Sequence, residues 1–165
     1  MQQSGRFRVS VTKDDLVFSS AHFITYAGHR CEGLHGHNYR ARVTIDGPLD
    51  ADRLVFDFLE LKRIMRRLCR DLDHVVLLPT TSARIAVVDE GDTVRVEVDG
   101  APRYVFPRRD CALLPVPNTS VEMLAELLAT RLRAELDALG VAGLTAIEME
   151  IEENFGQSAI CRMEL

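Results

Sequence analysis

Four of the five histidines in this chain, His22, His29, His35 and His37, fall within 16 residues of one another. His35-Gly36-His37 is an H-x-H pair, and at strand spacing both imidazoles point to the same side. If His22 closes the run Phe18, Ser20, His22, it adds a third nitrogen from a neighbouring strand. Three neutral imidazoles that leave one position open are the coordination of a catalytic zinc. Such an ion polarises a substrate oxygen or acidifies an adjacent C–H or O–H group. His29 fits the set least and reads as a loop residue.

Cys31 stands four residues before His35 and has two readings. It is either a fourth ligand that closes a structural site, or a nucleophile or base beside an open one, where a cation lowers its pKa. Cys69 and Cys161 lie in apolar patterns and read as packing residues, and Cys111 lies in a loop before Pro115. Asp73-His74 is either a carboxylate–imidazole relay or a helix-end feature in which a charged histidine meets the helix dipole. Glu153 follows Ile147, Met149 and Ile151 at strand parity. Either the strand stops at Glu152 and Glu153 is exposed, or Glu153 faces a pocket and binds a donor-rich ligand, because an unpaired inward carboxylate is costly.

Composition bounds the rest. The chain has 165 residues, 47% of them hydrophobic, with 20 basic against 25 acidic side chains and a net charge of −5. That describes a globular protein able to bury one full core, so residues 1–165 read as one domain with an insertion at about 80–117. An acidic balance argues against a nucleic-acid partner, which needs a basic face. No run approaches the roughly 18 apolar residues of a membrane span, and the first residues lack the apolar core of a secretory signal. The four cysteines form no C-x-x-C pair, which suits a reducing cytoplasm.

The elements that must carry these residues follow from periodicity. Residues 6–12 and 38–46 alternate apolar and polar as half-buried strands, with Arg40, Arg42 and Thr44 facing away from Tyr39, Ala41, Val43 and Ile45. A helix runs from about Asp57 to Leu72 on the stripe Phe58, Leu61, Ile64, Met65, Leu68, Leu72, with Arg63, Arg66, Arg67 and Arg70 read as a solvated face in preference to an anion site. Thr119 and Glu122 fit a capping box, with Asn118 and Ser120 as other caps. The helix behind them uses Leu124, Leu127, Leu128, Leu132, Leu136 and Leu139 and stops at Gly140. The last 20 residues return to two alternating strands joined near Phe155-Gly156, and residues 83–107 hold three short runs that read as a meander. The order is that of an α+β protein.

In these residues the chain resembles the 6-pyruvoyl-tetrahydropterin synthase/6-carboxytetrahydropterin synthase family. The resemblance rests on Phe18-Ser19-Ser20-Ala21-His22, Cys31-Glu32-Gly33-Leu34-His35-Gly36-His37-Asn38-Tyr39, Val55-Phe56-Asp57-Phe58, Leu72-Asp73-His74, Asn118-Thr119-Ser120 with Glu122, and Glu153 with Ala159. It implies a tunnelling fold (T-fold): a four-stranded antiparallel sheet with two helices on one face, here with an inserted β-meander. Subunits of such a fold close into a barrel, commonly a hexamer, with active sites between them. It implies His22, His35 and His37 as ligands of Zn2+, Cys31 as the residue that moves protons on the substrate side chain, Asp73 and His74 completing a triad, and Glu153 holding the guanidine-like edge of a pterin.

The short Cys-x3-His-x-His spacing is that of the 6-carboxytetrahydropterin synthases of queuosine and deazapurine biosynthesis. It implies a lyase that converts 7,8-dihydroneopterin triphosphate to 6-carboxytetrahydropterin. The alternatives are the pyruvoyl-forming reaction or another dihydropterin side-chain reaction, and a non-catalytic pterin-binding homologue. Lys62, Arg103, Arg108 and Arg109 are unranked cations for a triphosphate. The chain departs from the family pattern in the meander, in Cys161 where an aromatic residue is common, and in Asn154 where threonine is common.

Overall fold

The structure is a computed structural model and describes residues 7–165; Arg6, the first residue of the expected 6–12 strand, lies outside them. Two long strands, β1 (Phe7–His22) and β4 (His35–Gly47), pair antiparallel from Phe7 opposite Gly47 to His22 opposite His35, with one irregularity between Thr12 and Val17. The short β2 (Thr25–Tyr26) and β3 (Arg30–Cys31) form a small hairpin between them. Near the C-terminus β10 (Ala146–Asn154) pairs with β4, and β11 (Gln157–Glu164) pairs with β10, both antiparallel. These four strands are the expected antiparallel sheet. It is extended past β1 by two short parallel strands, β5 (Val75–Pro79) and β9 (Cys111–Leu114), giving the order β11-β10-β4-β1-β5-β9. Cys111 is therefore buried in a strand, not placed in a loop.

The two faces of the sheet differ as alternation requires. Val11, Leu16, Phe18, Tyr39, Ala41, Val43, Ile45, Ile147, Met149 and Ile151 form the inner rows of the core. Both helices, α1 (Phe58–Arg70) and α2 (Val121–Ala138), cover that side. The outer face is a charge lattice in which Arg8 and Arg162 lie 2.7 and 3.1 Å from Asp46, Arg42 lies 3.5 Å from Glu150, and Arg40 lies 3.8 Å from Glu152.

The helices begin and end for local reasons. Asp57 caps α1, its carboxylate accepting the Leu59 N–H at 2.7 Å. Of the arginines read as a solvated face, Arg67 instead crosses to Glu135 of α2 at 2.5 Å. The N-cap of α2 is Ser120, and no side chain caps it. The Thr119–Glu122 capping box does not form because the Thr119 hydroxyl is buried and donates to the Phe23 carbonyl at 3.0 Å. Leu139, read as part of the apolar stripe, is the half-exposed C-cap, and Gly140 turns the chain with φ +69°.

Residues 85–107 form a separate antiparallel sheet of β6 (Ile85–Asp89), β7 (Thr93–Val98) and β8 (Ala101–Pro107). Ile85, Val94, Val96 and Val98 close a second apolar cluster with Phe23, Leu78 and Cys111, and Cys31 packs against it. The meander is thus joined to the segment that carries the cysteine.

Asp57→Ala removes the acceptor for the Leu59 amide. It is expected to lower the unfolding free energy by about 1 kcal/mol, read as a lower denaturant midpoint at unchanged m-value. An unchanged midpoint would show that the cap contributes nothing.

Candidate active site

The inner rows of the sheet do not stay apolar to their ends. On β1 the row runs Leu16, Phe18, Ser20, His22; on β4 it runs Ile45, Val43, Ala41, Tyr39, His37, His35. Phe18 faces Tyr39, Ser20 faces His37 and His22 faces His35 in register, so the imidazoles cluster where the apolar rows stop. One nitrogen of each histidine lies within 4.8 Å of one nitrogen of the other two, an arrangement that could hold a metal ion.

Each ring is oriented differently. His22 is almost fully buried, and its Nδ1 lies 2.8 Å from the Thr119 carbonyl. A carbonyl only accepts, so Nδ1 carries the proton and Nε2 presents its lone pair. That Nε2 is buried with no hydrogen bond of its own. His35 is exposed and follows the same logic, with Nδ1 2.9 Å from the Gly33 carbonyl. Backbone carbonyls behind two of the three rings are the outer-shell pattern of metal-binding histidines. The donor set fits a borderline divalent ion such as zinc.

Glu153 continues the inner row of β10 through a register shift between Glu152 and Asn154. The strand runs past Glu152, and the Glu153 carboxylate faces inward: Oε1 lies 3.3 Å from Nε2 of His22 and 3.7 Å from Nε2 of His37. Burial, and then the Glu153 charge, push the Tyr39 phenol well above its ordinary range, so its hydroxyl stays protonated. Beside this carboxylate lies a recess of about 340 Å³ lined by His37, Arg40, Glu152, Glu153, Asn154 and Phe155. It is of small-ligand size.

The remaining expected residues lie around this centre. Cys31 is half-buried on the β2–β3 hairpin and is not in the group that could share an ion. His29 also stays outside the group, its Nδ1 turned to the Ala27 carbonyl at 2.6 Å. Asp73 accepts the Ser19 N–H at 2.7 Å, and His74, with φ +57° and a largely exposed ring, lies 3.7 Å from the Asp73 carboxylate. Helix α1 ends at Arg70, so the helix-dipole reading of His74 does not describe it. Among the described residues no hydrogen bond or ion pair joins Cys31 to this dyad. Cys69 is buried, which pushes its thiol up to about 12, in keeping with packing.

Residues that pattern reading missed also meet here. Glu32 places a carboxylate oxygen 3.9 Å from Nε2 of His35, and its only signal was adjacency to Cys31. Thr119 and Gly33 act through backbone carbonyls, which no side-chain motif records.

Comparison with known proteins agrees. The family model for 6-pyruvoyl tetrahydropterin synthase matches residues 10–164. A Methanocaldococcus jannaschii protein, provisionally named 6-carboxy-5,6,7,8-tetrahydropterin synthase, is 34% identical over 151 residues, 91% of each chain. A Haemophilus influenzae protein of that name is 33% identical over 42% of this chain and 53% of its own. The solved 6-pyruvoyl tetrahydropterin synthase of Plasmodium falciparum superposes with a TM-score of 0.89 at 31% identity, covering 97% of this chain and 99% of that one. The Plasmodium vivax enzyme gives the same score at 28% identity over 98% and 99%, and two further forms of it are substituted at a glutamate described as a catalytic residue. Fold and site thus define a T-fold lyase with a histidine trio able to hold a metal ion. The chain belongs to the 6-pyruvoyl tetrahydropterin synthase family. No helix in the described residues is long and apolar enough to cross a membrane.

Burial holds the His22 pKa below its ordinary value. An unfolded histidine takes up a proton near about pH 6.5, and the folded His22 does so only at lower pH. Its contribution to stability is therefore present above that value and is lost as pH falls through the folded pKa. Thermal melts of metal-free protein are expected to show stability falling as pH drops below about 6.5, with a shallower fall in His22→Ala. Parallel curves for the two proteins would contradict this.

Proposed function

We propose that the protein is a zinc-dependent lyase that converts 7,8-dihydroneopterin triphosphate and one water to 6-carboxytetrahydropterin, acetaldehyde and triphosphate, in a queuosine or deazapurine pathway of the cytoplasm. The observation that carries this reading is the trio itself: two Nδ1–H groups directed at backbone carbonyls and one buried Nε2 that makes no hydrogen bond, 3.3 Å from the Glu153 carboxylate. In this reading His22, His35 and His37 hold Zn2+. When bound, the ion supplies Lewis acidity toward the hydroxyls of the substrate side chain, which makes the neighbouring C–H proton removable. The 6-carboxy product is favoured by the Cys31-x3-His35-x-His37 spacing and by the names of the curated relatives.

The chain's own groups then divide the work. Glu153 accepts hydrogen bonds from the guanidine-like edge of the pterin, a charge-assisted pairing that fixes the ring and directs its side chain to the trio. Tyr39, kept protonated, leaves the carboxylate as the acceptor. Cys31 moves the proton on the side-chain carbon, with the Asp73–His74 pair as its relay. Among the described residues no hydrogen bond or ion pair joins Cys31 to the dyad within one chain, and in this reading they meet across a subunit boundary of a homo-oligomer, a hexamer by family resemblance.

A second reading is favoured by Glu32. Its carboxylate lies 3.9 Å from Nε2 of His35, and a catalytic glutamate is described in the Plasmodium vivax relative. In this version Glu32 takes the substrate proton and the outcome is a different cleavage of the dihydropterin side chain.

Anaerobic turnover of dihydroneopterin triphosphate, with products identified by mass spectrometry and metal content measured on the same sample, separates the readings. Cys31→Ala is expected to keep its metal and to lose at least about a hundredfold in rate, the usual scale of proton-transfer catalysis. Loss of metal in that variant would make Cys31 a ligand. Retained turnover, with the loss found in Glu32→Gln, would move the proton chemistry to Glu32. Mixing Cys31→Ala with His74→Ala chains under reassembly is expected to restore about a quarter of wild-type activity, since only sites pairing two intact contributions work. No restoration would put the triad within one chain.

A further inference from the structure

Besides its apolar packing on Phe23 and Cys31, the inserted meander reaches the segment from Arg30 to Leu34 through hydrogen bonds of three side chains. Arg84 donates from Nη1 to the Arg30 carbonyl at 3.0 Å. Arg103 donates from Nη2 to the Glu32 carbonyl at 2.8 Å. The Leu34 N–H donates to the Tyr104 hydroxyl at 3.1 Å. Backbone groups at every second residue of the segment are thus held from the same side.

The three side chains are themselves fixed. Asp99 takes Arg84 in a two-point pair at 2.8 and 2.6 Å. The Tyr104 ring sits 5.2 Å from Phe23 and 5.4 Å from Phe106, centre to centre, and the Arg103 guanidinium lies 5.4 Å from the Tyr104 ring.

The Tyr104 contact has a particular consequence. The N–H of Leu34 and the C=O of Gly33 belong to one planar trans peptide and point in opposite directions. Tyr104 holds the N–H end, and the C=O end accepts from Nδ1 of His35. Rotating that peptide would break both bonds at once. A hydrogen bond at one end of an amide also polarises the other, which strengthens the carbonyl as an acceptor. His35 is more exposed than buried His22, its ring resting 4.7 and 4.8 Å, centre to centre, from those of His22 and His37, so its Nδ1 bond is its link to the backbone of the segment.

We infer that Tyr104 is a positioning residue for His35, acting through the Gly33–Leu34 peptide, and that the meander serves to hold the ligand-bearing segment in its site-forming conformation. The inference rests on the reading of the trio as a metal site. It assigns the insertion a role in metal retention rather than in substrate choice.

The test uses the full chain and Zn2+ alone, in competition with a chromogenic chelator, together with the visible absorption of the Co2+ form. Tyr104→Phe keeps the ring stack and removes only the hydroxyl. Removing an outer-shell partner costs 10- to 100-fold in metal affinity, and Tyr104 stands one bond further out, so a loss of about 3- to 10-fold is expected. The Co2+ bands should shift while metal-free protein melts as wild type does. Arg103→Leu, which frees the adjacent carbonyl, is expected to weaken metal binding in the same direction and serves if Tyr104→Phe does not fold. Wild-type Zn2+ affinity and an unshifted Co2+ spectrum in a folded Tyr104→Phe protein would overturn the inference, as would a lowered melting temperature with unchanged affinity. Wild-type protein that takes up no more Zn2+ than His35→Ala would instead remove the metal reading beneath it.

Discussion

The two-residue period of a β-strand is the constraint on which the rest depends. Three neighbouring strands present inner rows to the helices, and those rows are apolar as far as Phe18, Tyr39 and Ile151. Beyond those residues the same rows continue to His22 on β1, His37 and His35 on β4, and Glu153 on β10. Core and site are therefore one register read at two heights. A one-residue slip of β1 against β4 would turn Phe18 to solvent and take His22 away from His35 together. Stability of the sheet and integrity of the site are enforced by the same pairing.

Backbone groups complete what register begins. Alternation brings three rings together but does not decide which nitrogen of each faces inward. The Thr119 and Gly33 carbonyls decide it for His22 and His35 by accepting at Nδ1. The Thr119 carbonyl is available because it precedes the N-cap: the first intrahelical bond of α2 goes from Leu124 N–H to the Ser120 carbonyl, one residue on. The start of a helix thus supplies a free acceptor to the end of a strand. The Thr119 hydroxyl, bonded to the Phe23 carbonyl, fixes the same junction from the other side.

Much of this was legible in the residues. The H-x-H pair, the parity of His22 and the inward parity of Glu153 follow from counting, as do the apolar stripes of both helices and the three runs of the meander. What escaped was set by partners distant in sequence. Val75–Pro79 is a five-residue apolar run, and periodicity cannot separate such a run from buried helix or loop; β1 on one side and β9 on the other make it a strand. The closeness of Glu32 to His35 depends on how the β2–β3 hairpin folds back, which the spacing of Cys31 to His35 does not encode. The meander was visible as strands, but its grip on residues 30–34 depends on side chains more than 50 positions away.

The Thr119–Glu122 capping box shows why local rules fail where they do. By propensity Thr119 should cap α2, a device worth roughly 0.5–2 kcal/mol. Instead the helix starts one residue later with no side-chain cap, and Thr119 is wholly buried, its hydroxyl and its carbonyl both committed to the strand end that bears His22. Burying His22 with an unbonded Nε2 already costs stability, and giving up the cap adds to that cost. Neither feature benefits the fold alone. Both become intelligible if the strand end has to present a lone pair to something other than protein, and departures from local consistency are expected at functional positions for that reason.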